Sequence, residues 1–296
     1  MKGLIGSGVA LITPFKEDNN IDFEALGKLI EHQIAGGINY LVSLGTTGET
    51  ATLTKQEKSE ILAFTAEIVD GRIPLVGGIG GNNTQEILDN IHHFDLSKYS
   101  ALLSVSPYYN KPTQEGIFQH YKAISKSSPL PIILYNVPGR TGSNIEAKTT
   151  TRLAHECSNI IGIKEASGNF TQYSEILRDK PDEFLLISGD DALALPMIAL
   201  GASGVISVLA NALPAEVNDL TRLCLDGDFK NAGKVHARLI EIINLCFVEG
   251  NPAGVKAILQ QKGIIEDWLR LPLTPVRDET RNKIAKELEK LQTAII

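Results

Sequence analysis

Residues 132–165 read IILYNVPGRTGSNIEAKTTTRLAHECSNIIGIKE, and the fold follows from how this stretch divides. Ile132–Tyr135 and Ile160–Lys164 are short, nearly continuous apolar runs rich in β-branched residues. Strands covered on both faces read this way. Between them, Glu146–His155 carries its apolar residues at helical spacing. Strand, helix and strand in these lengths make a parallel pair joined by a right-handed crossover.

Outward from this stretch the same unit recurs. Val9–Thr13, Tyr40–Leu44, Pro74–Gly78, Ala101–Val105, Phe184–Ser188 and Gly204–Val208 bring the strands to eight. Asp22–Ala35 places Phe23, Leu26, Leu29 and Ile30 on one stripe, with Asp22 as N-cap and Gly36-Gly37 as the stop. Thr54 and Glu57 form a capping box that opens a helix to Val69. Thr84–Phe94, Thr113–Ser125, Phe170–Arg178, Ala192–Ala199 and Pro214–Leu225 complete the set. Eight units predict a closed (β/α)₈ TIM barrel over residues 1–225, with an open doubly wound sheet as the alternative on pattern alone. Phe229–Val248, Pro252–Lys262 and Glu279–Thr293 come next without strands, predicting a C-terminal helical region over 226–296.

Composition agrees with a large soluble domain. The 296 residues are 43% hydrophobic and 21% charged, with a net charge of −7. That acidic balance argues against nucleic acid as a partner. No apolar run reaches the roughly 18–20 residues of a membrane helix. The opening MKGLIGSGVALITPF is broken by Pro14 and makes a poor export signal, so the sequons at Asn82 and Asn169 read as chance. Cys157, Cys224 and Cys246 form no CxxC pair; an odd, scattered set reads as reduced thiols of a cytoplasmic protein.

Several chemistries lack their hardware. Gly78-Ile-Gly-Gly-Asn-Asn83 fails the dinucleotide fingerprint at its last position, and neither GxxxxGK[ST] nor GxSxG occurs. His155-Glu-Cys-Ser-Asn159 fails the HExxH zinc pattern, and the adjacent His92-His93 point to different helix faces. Neither a cofactor nor a metal is expected.

A barrel carries its chemistry at the C-terminal ends of its strands. Those ends hold Gly45-Thr-Thr-Gly-Glu49, Tyr108-Tyr-Asn110, Tyr135-Asn136, Lys164-Glu165 and Ser188-Gly-Asp-Asp191. Lys164 ends an apolar strand and should point its amine into the barrel mouth. A desolvated amine favours its neutral form, which is the nucleophile that makes a Schiff base with a carbonyl. Taken alone, the same lysine reads as a partner of Glu165. Tyr135 ends the neighbouring strand, where a phenol could shuttle the protons of imine formation, or simply pack. The Gly45–Gly48 turn offers hydroxyls and open backbone amides to a small carboxylate, or is an ordinary turn. Arg140 sits in a Pro-Gly-Arg-Thr-Gly loop suited to a second carboxylate, or to the surface. Asp190-Asp191 read as caps of the next helix.

Gly45-Thr-Thr-Gly-Glu49, Tyr108-Tyr-Asn110, Tyr135-Asn-Val-Pro-Gly-Arg-Thr-Gly142 and Gly162-Ile-Lys-Glu-Ala166 together resemble the dihydrodipicolinate synthase (4-hydroxy-tetrahydrodipicolinate synthase) family, over essentially the whole chain. The wider group includes N-acetylneuraminate lyase and 2-keto-3-deoxy sugar-acid aldolases; the Val137–Gly142 loop and the double threonine look like the synthase branch. The resemblance implies a lyase of lysine and diaminopimelate biosynthesis in which pyruvate forms an imine on Lys164 and its enamine attacks L-aspartate-4-semialdehyde. It implies a proton relay of Tyr135, Thr46 and Tyr109, the last from a neighbouring subunit of a homotetramer. Thr47 would hold the pyruvate carboxylate, Gly189 and the backbone of Ile206 would line its pocket, and Arg140 would position the relay and bind the aldehyde substrate's carboxylate. A non-catalytic keto-acid-binding barrel is the reading from another class. Many members also bind lysine at a dimer-interface site, matched here by Thr50, Ala51, Lys55, Lys58, Asn82, Glu86 and Tyr108. Asn82, Glu86 and Tyr108 keep that pattern. Lys55 and Lys58 depart from it, histidine being frequent there in lysine-sensitive relatives.

Overall fold

The computed structural model describes residues 2–293; the outer bounds read from the sequence, Met1 and Ile296, lie outside them. The strands are β1 (Gly6–Ala10), β2 (Tyr40–Ser43), β3 (Leu75–Gly78), β4 (Ala101–Val105), β5 (Ile132–Asn136), β6 (Ile160–Glu165), β7 (Leu185–Ser188) and β8 (Gly204–Ser207). They close in sequence order into a parallel barrel, β8 pairing with β1. The helices around it are α1 (Phe23–Ala35), α2 (Lys55–Val69), α3 (Thr84–His93), α4 (Gln114–Ser127), α5 (Pro138–Thr141), α6 (Ala147–Glu156), α7 (Phe170–Asp179), α8 (Ala194–Leu200) and α9 (Pro214–Leu225). Then come α10 (Phe229–Leu245), α11 (Ala253–Gln261) and α12 (Asp278–Thr293). The closed barrel settles the choice against an open sheet.

Local signals act as read. Asp22 accepts from the Ala25 amide, and Thr54 with Glu57 closes a reciprocal capping box. Two readings shift. β1 runs over Gly6–Ala10, not Val9–Thr13, because small residues are what the interior needs there. A Cβ at Gly8 would meet the Tyr40 ring at 2.3 Å, so the strand gives up side chains to admit Tyr40. The Pro138–Thr141 loop is a short helix.

Side chains alternate between two apolar layers. Ala10, Tyr40, Val42, Val76, Leu103, Ile133, Tyr135, Ile187 and Ile206 fill the barrel. Val9, Leu41, Leu75, Leu102, Leu134, Ile163, Leu186 and Val205 face the helices. One irregularity matters for the site. Between β5 and β6 the register jumps from Ile132↔Ile160 to Ile133↔Gly162, leaving Ile161 as an extra residue. Such a bulge re-aims the side chains beyond it. Past the bulge, Tyr135 pairs with Lys164 and Asn136 with Glu165. Among the described residues no helix is long and apolar enough to cross a membrane.

The C-terminal segment is tied back over α2. Arg270 reaches Glu57 and also donates to the carbonyls of Asn19 and Thr52. This guanidinium holds the Glu57 carboxyl down at about 2. A depressed carboxylate stabilises the fold above its ordinary value and loses that contribution as pH falls through its folded value. Glu57→Gln, which keeps the cap, should therefore lower stability by about 1–3 kcal/mol at neutral pH. Denaturant titrations should show that deficit shrinking as pH falls from about 4.5 towards 2. A deficit that stays constant on acidification would contradict the pairing.

Candidate active site

β6 delivers Lys164 to the top of the barrel interior, where it is only 4% exposed. Its Nζ lies 4.4 Å from the centre of the Tyr135 ring, over the ring face. The pairing with Glu165 that the sequence left open does not form. Glu165 turns to the outer face, where it accepts from Asn136, Gln172 and the Ser167 amide. The amine and the phenol-bearing ring share the interior, and the carboxylate is spent elsewhere.

Beside them, the turn after β2 is a tight 3₁₀ arrangement over Thr46–Gly48. Left-handed backbone brackets it at Leu44 (φ 58°) and Glu49 (φ 53°). Such conformations cost non-glycine residues of the order of 1 kcal/mol each and persist only when their surroundings hold them. The holding groups are visible. A Cβ at Gly78 would lie 2.1 Å from the Leu44 carbonyl, so glycine there lets the turn approach β3. Thr13 Oγ1 donates to the Gly48 carbonyl at 2.8 Å. Glu49 and Lys256 form a fully buried ion pair at 2.5 Å, and the Arg270 amide donates to Glu49 as well. Lys256 also donates to the Trp268 carbonyl, and burial pushes its ammonium down to about 8. Asn251 Nδ2 donates to Thr47 Oγ1 at 2.9 Å. That bond occupies an acceptor position and leaves the Thr47 hydroxyl proton free to donate into the site. Thr46 is partly buried beside it in the chain.

On the other side, the Gly189 amide donates to the Glu165 carbonyl at 2.8 Å, which seats Gly189 against Lys164. Ile206 is fully buried inside the barrel. Asp191 corrects the sequence reading: it caps no helix. α8 begins after Leu193 without a side-chain cap, while Asp191 is buried and accepts from Ser207 Oγ and the amides of Val208 and Leu209. Burial raises its carboxyl above the usual range. Asp190 does cap locally, accepting from the Ala192 amide.

Arg140 is exposed on α5 at the rim. Tyr109 is 87% exposed at φ 72°, and its amide donates to the Thr141 carbonyl. The chain therefore brings Lys164, Tyr135, Thr46, Thr47, Gly189 and Ile206 to the strand-end face of the barrel, with Arg140 at its edge and Tyr109 largely in solvent. Of the outlying set, two pairs meet. Asn82 donates to the Tyr108 carbonyl, and half-buried Lys58 is close enough to Glu86 to feel its charge. Thr50 and Ala51 lie just before α2, and Lys55 opens it. Among the described residues, no three His, Cys, Asp or Glu side chains cluster as a metal site would need.

The model of the dihydrodipicolinate synthetase family matches residues 3–291. The chain belongs to this family. A 4-hydroxy-tetrahydrodipicolinate synthase of Parabacteroides distasonis is 53% identical over 288 residues, 97% of each chain. One from Phocaeicola vulgatus is 52% identical, over 98% of this chain and 97% of its own. The crystal structure of dihydrodipicolinate synthase from Aquifex aeolicus superposes with a TM-score of 0.95 at 43% identity, covering 98% of both chains.

Against that family background, sequence reasoning missed the supports: Asn251, Lys256, Asp191, and the Asn136–Glu165 pair. Only Gly162 hinted at the bulge, since an isolated glycine within a strand marks one. The close packing at Gly189 is directly testable. A methyl there would sit 2.8 Å from the Ala166 Cβ and 3.1 Å from the Lys164 Cε. Gly189→Ala should slow reductive trapping of pyruvate by about 100-fold, the order expected for displacing a reacting group by about 1 Å. Trapping at the unmodified rate would show that Lys164 does not depend on this contact.

Proposed function

We infer that the chain is a lyase that condenses pyruvate with L-aspartate-4-semialdehyde through a lysine Schiff base, giving 4-hydroxy-tetrahydrodipicolinate for diaminopimelate and lysine biosynthesis. The observation that carries the mechanism is the water-shielded Lys164 amine beside Tyr135 at the strand ends of a barrel of this family.

In our reading the residues divide the work. The Lys164 amine adds to the keto carbon of pyruvate, giving a carbinolamine. Loss of water from it leaves the iminium. Tyr135 supplies and removes protons in these steps, with Thr46 next in the relay. The turn amides and the free Thr47 proton hold the carboxylate, with Gly189 and Ile206 closing the pocket. Loss of a methyl proton from the iminium gives the enamine. Its carbon attacks the aldehyde, whose carboxylate Arg140 grips. The second substrate's amine then closes the ring by displacing Lys164, which is released for the next turnover. Tyr109 completes the relay of an adjacent protomer in a homotetramer built as a dimer of dimers; a tyrosine 87% exposed on a left-handed backbone suits that use. The C-terminal helical region we treat as serving the site, not as an independent unit, because its Asn251 reaches Thr47 and its Lys256 reaches Glu49. Three buried, unpaired cysteines support a cytoplasmic location.

Borohydride reduction in the presence of pyruvate should attach one adduct, on the peptide holding Lys164, and Lys164→Ala should abolish it. Arg140→Ala should keep the adduct yet lose about 2–4 kcal/mol, roughly thirty- to a thousandfold, in kcat/KM for the semialdehyde. Turnover of N-acetylneuraminate in preference to the semialdehyde, or an adduct on another lysine, would overturn the assignment.

Regulation follows from the outlying set. Lys55 and Lys58 share a face of α2. Lys58 already sits by Glu86, the group that would take a ligand ammonium. At about 7 Å and an effective dielectric of about 40, each like-charge contact costs on the order of 1 kcal/mol. Two contacts should weaken lysine binding by roughly ten- to thirtyfold. Inhibition by lysine should then be weak or absent at saturating substrates, and Lys58→His should strengthen it. A sub-millimolar inhibition constant for the unmodified protein would contradict this.

A further inference from the structure

Glu165 and Asn136 are both fully buried, on the outer face of the same two strand ends that present Lys164 and Tyr135 inward. The Asn136 amide nitrogen donates to both Glu165 oxygens, at 3.0 and 3.1 Å. Gln172 Nε2 on α7 donates at 2.7 Å, and the Ser167 amide at 3.0 Å. Asn144 ties the far side, its Oδ1 accepting from Asn136 and its Nδ2 donating to Gln172. The Asn136 Oδ1 accepts from the Ile145 amide. The network thus gathers β5, the segment before α6, β6 and α7 at one carboxylate.

The donors to that carboxylate are all neutral. Burial pushes the Glu165 carboxyl up while these hydrogen bonds pull it back. A buried carboxylate without a cation is a costly way to gain stability, and an apolar or amide group usually serves as well. What the carboxylate alone provides is an acceptor-only group. An amide at position 165 would turn one of its own N–H groups against those of Asn136 or Gln172. Glu165 also supplies the carbonyl that seats the Gly189 amide.

We propose that Glu165, with Asn136, is a positioning residue for the condensation. Their pairing on the outer face locks the post-bulge register in which Lys164 lies beside Tyr135 on the inner face. The proposal rests on Lys164 being the Schiff-base amine. It concerns the rate at which the imine forms rather than binding of the pyruvate carboxylate, which a separate turn holds.

The test is the single-turnover rate of pyruvate trapping by borohydride, measured over a range of pyruvate concentrations on the intact protein, with thermal melting alongside. In Glu165→Gln the maximal rate should fall roughly 10- to 100-fold, while half-saturating pyruvate moves less than about threefold. Asn136→Ser, which shortens the side chain and withdraws the amide donor from Glu165 without adding a repulsion, should slow trapping in the same direction. The exchange Asn136→Asp with Glu165→Gln reverses the places of carboxylate and amide, a reversal that the Asn144 and Gln172 amides meet by turning over, and should return the rate to within about fivefold of the parent. A rate within about twofold of the parent in both single variants would overturn the proposal. So would folded single variants whose slowing the exchange does not relieve, since a merely structural role lowers the melting temperature without that pattern. If the adduct of the unmodified protein maps to a lysine other than 164, it is the Schiff-base reading that fails instead.

Discussion

In a closed parallel barrel each strand residue must face either the axis or the helices, and the chemistry here depends on how that alternation falls at two strand ends. β5 ends in Tyr135-Asn136 and β6 in Lys164-Glu165. The two groups suited to imine chemistry point inward, and the two able to satisfy one another point outward. The extra residue at Ile161 sets which residue of β6 meets which of β5. Without it, Tyr135 would stand opposite Ile163 and the amine would be one position out of step.

The remaining parts converge on the same face from distant sequence. The Thr46–Gly48 turn is held between two left-handed residues, an arrangement that relaxes unless restrained. Two of its restraints come from more than 200 positions away: Asn251 on Thr47, and Lys256 on Glu49. The helices after the barrel therefore shape a site that lies far ahead of them in the chain. They fix a turn whose own local propensity is poor.

Much of this is legible in the sequence, for physical reasons. Runs such as Ala101–Val105 and helices such as Pro214–Leu225 end where read, because apolar periodicity and Pro punctuation act locally. Lys164 and Tyr135 stand out as polar groups ending apolar runs. What stays hidden depends on partners far away in the chain. β1 lies at Gly6–Ala10 because its glycines answer to Asn39, just before the next strand, and to Tyr40 at its start. Asp191 looks like a helix cap in isolation and instead anchors the end of β8. Glu165 looks like the counter-ion of its neighbour, since adjacency in a strand hides the fact that successive side chains face opposite ways. Asn251 and Lys256 give no sequence signal, because their partners lie in a loop near the other end of the chain.

The whole arrangement has one chemical consequence: the inward-facing amine of Lys164 should become covalently joined to pyruvate while the carboxylate rests on the Thr46–Gly48 turn. A crystal structure of the protein grown with pyruvate tests this without intermediary. Continuous density is expected from Lys164 Nζ to the keto carbon, with the carboxylate against Thr47 and the ring of Tyr135 alongside. Pyruvate held without a bond to Lys164, or joined there with its carboxylate turned away from that turn, would contradict it.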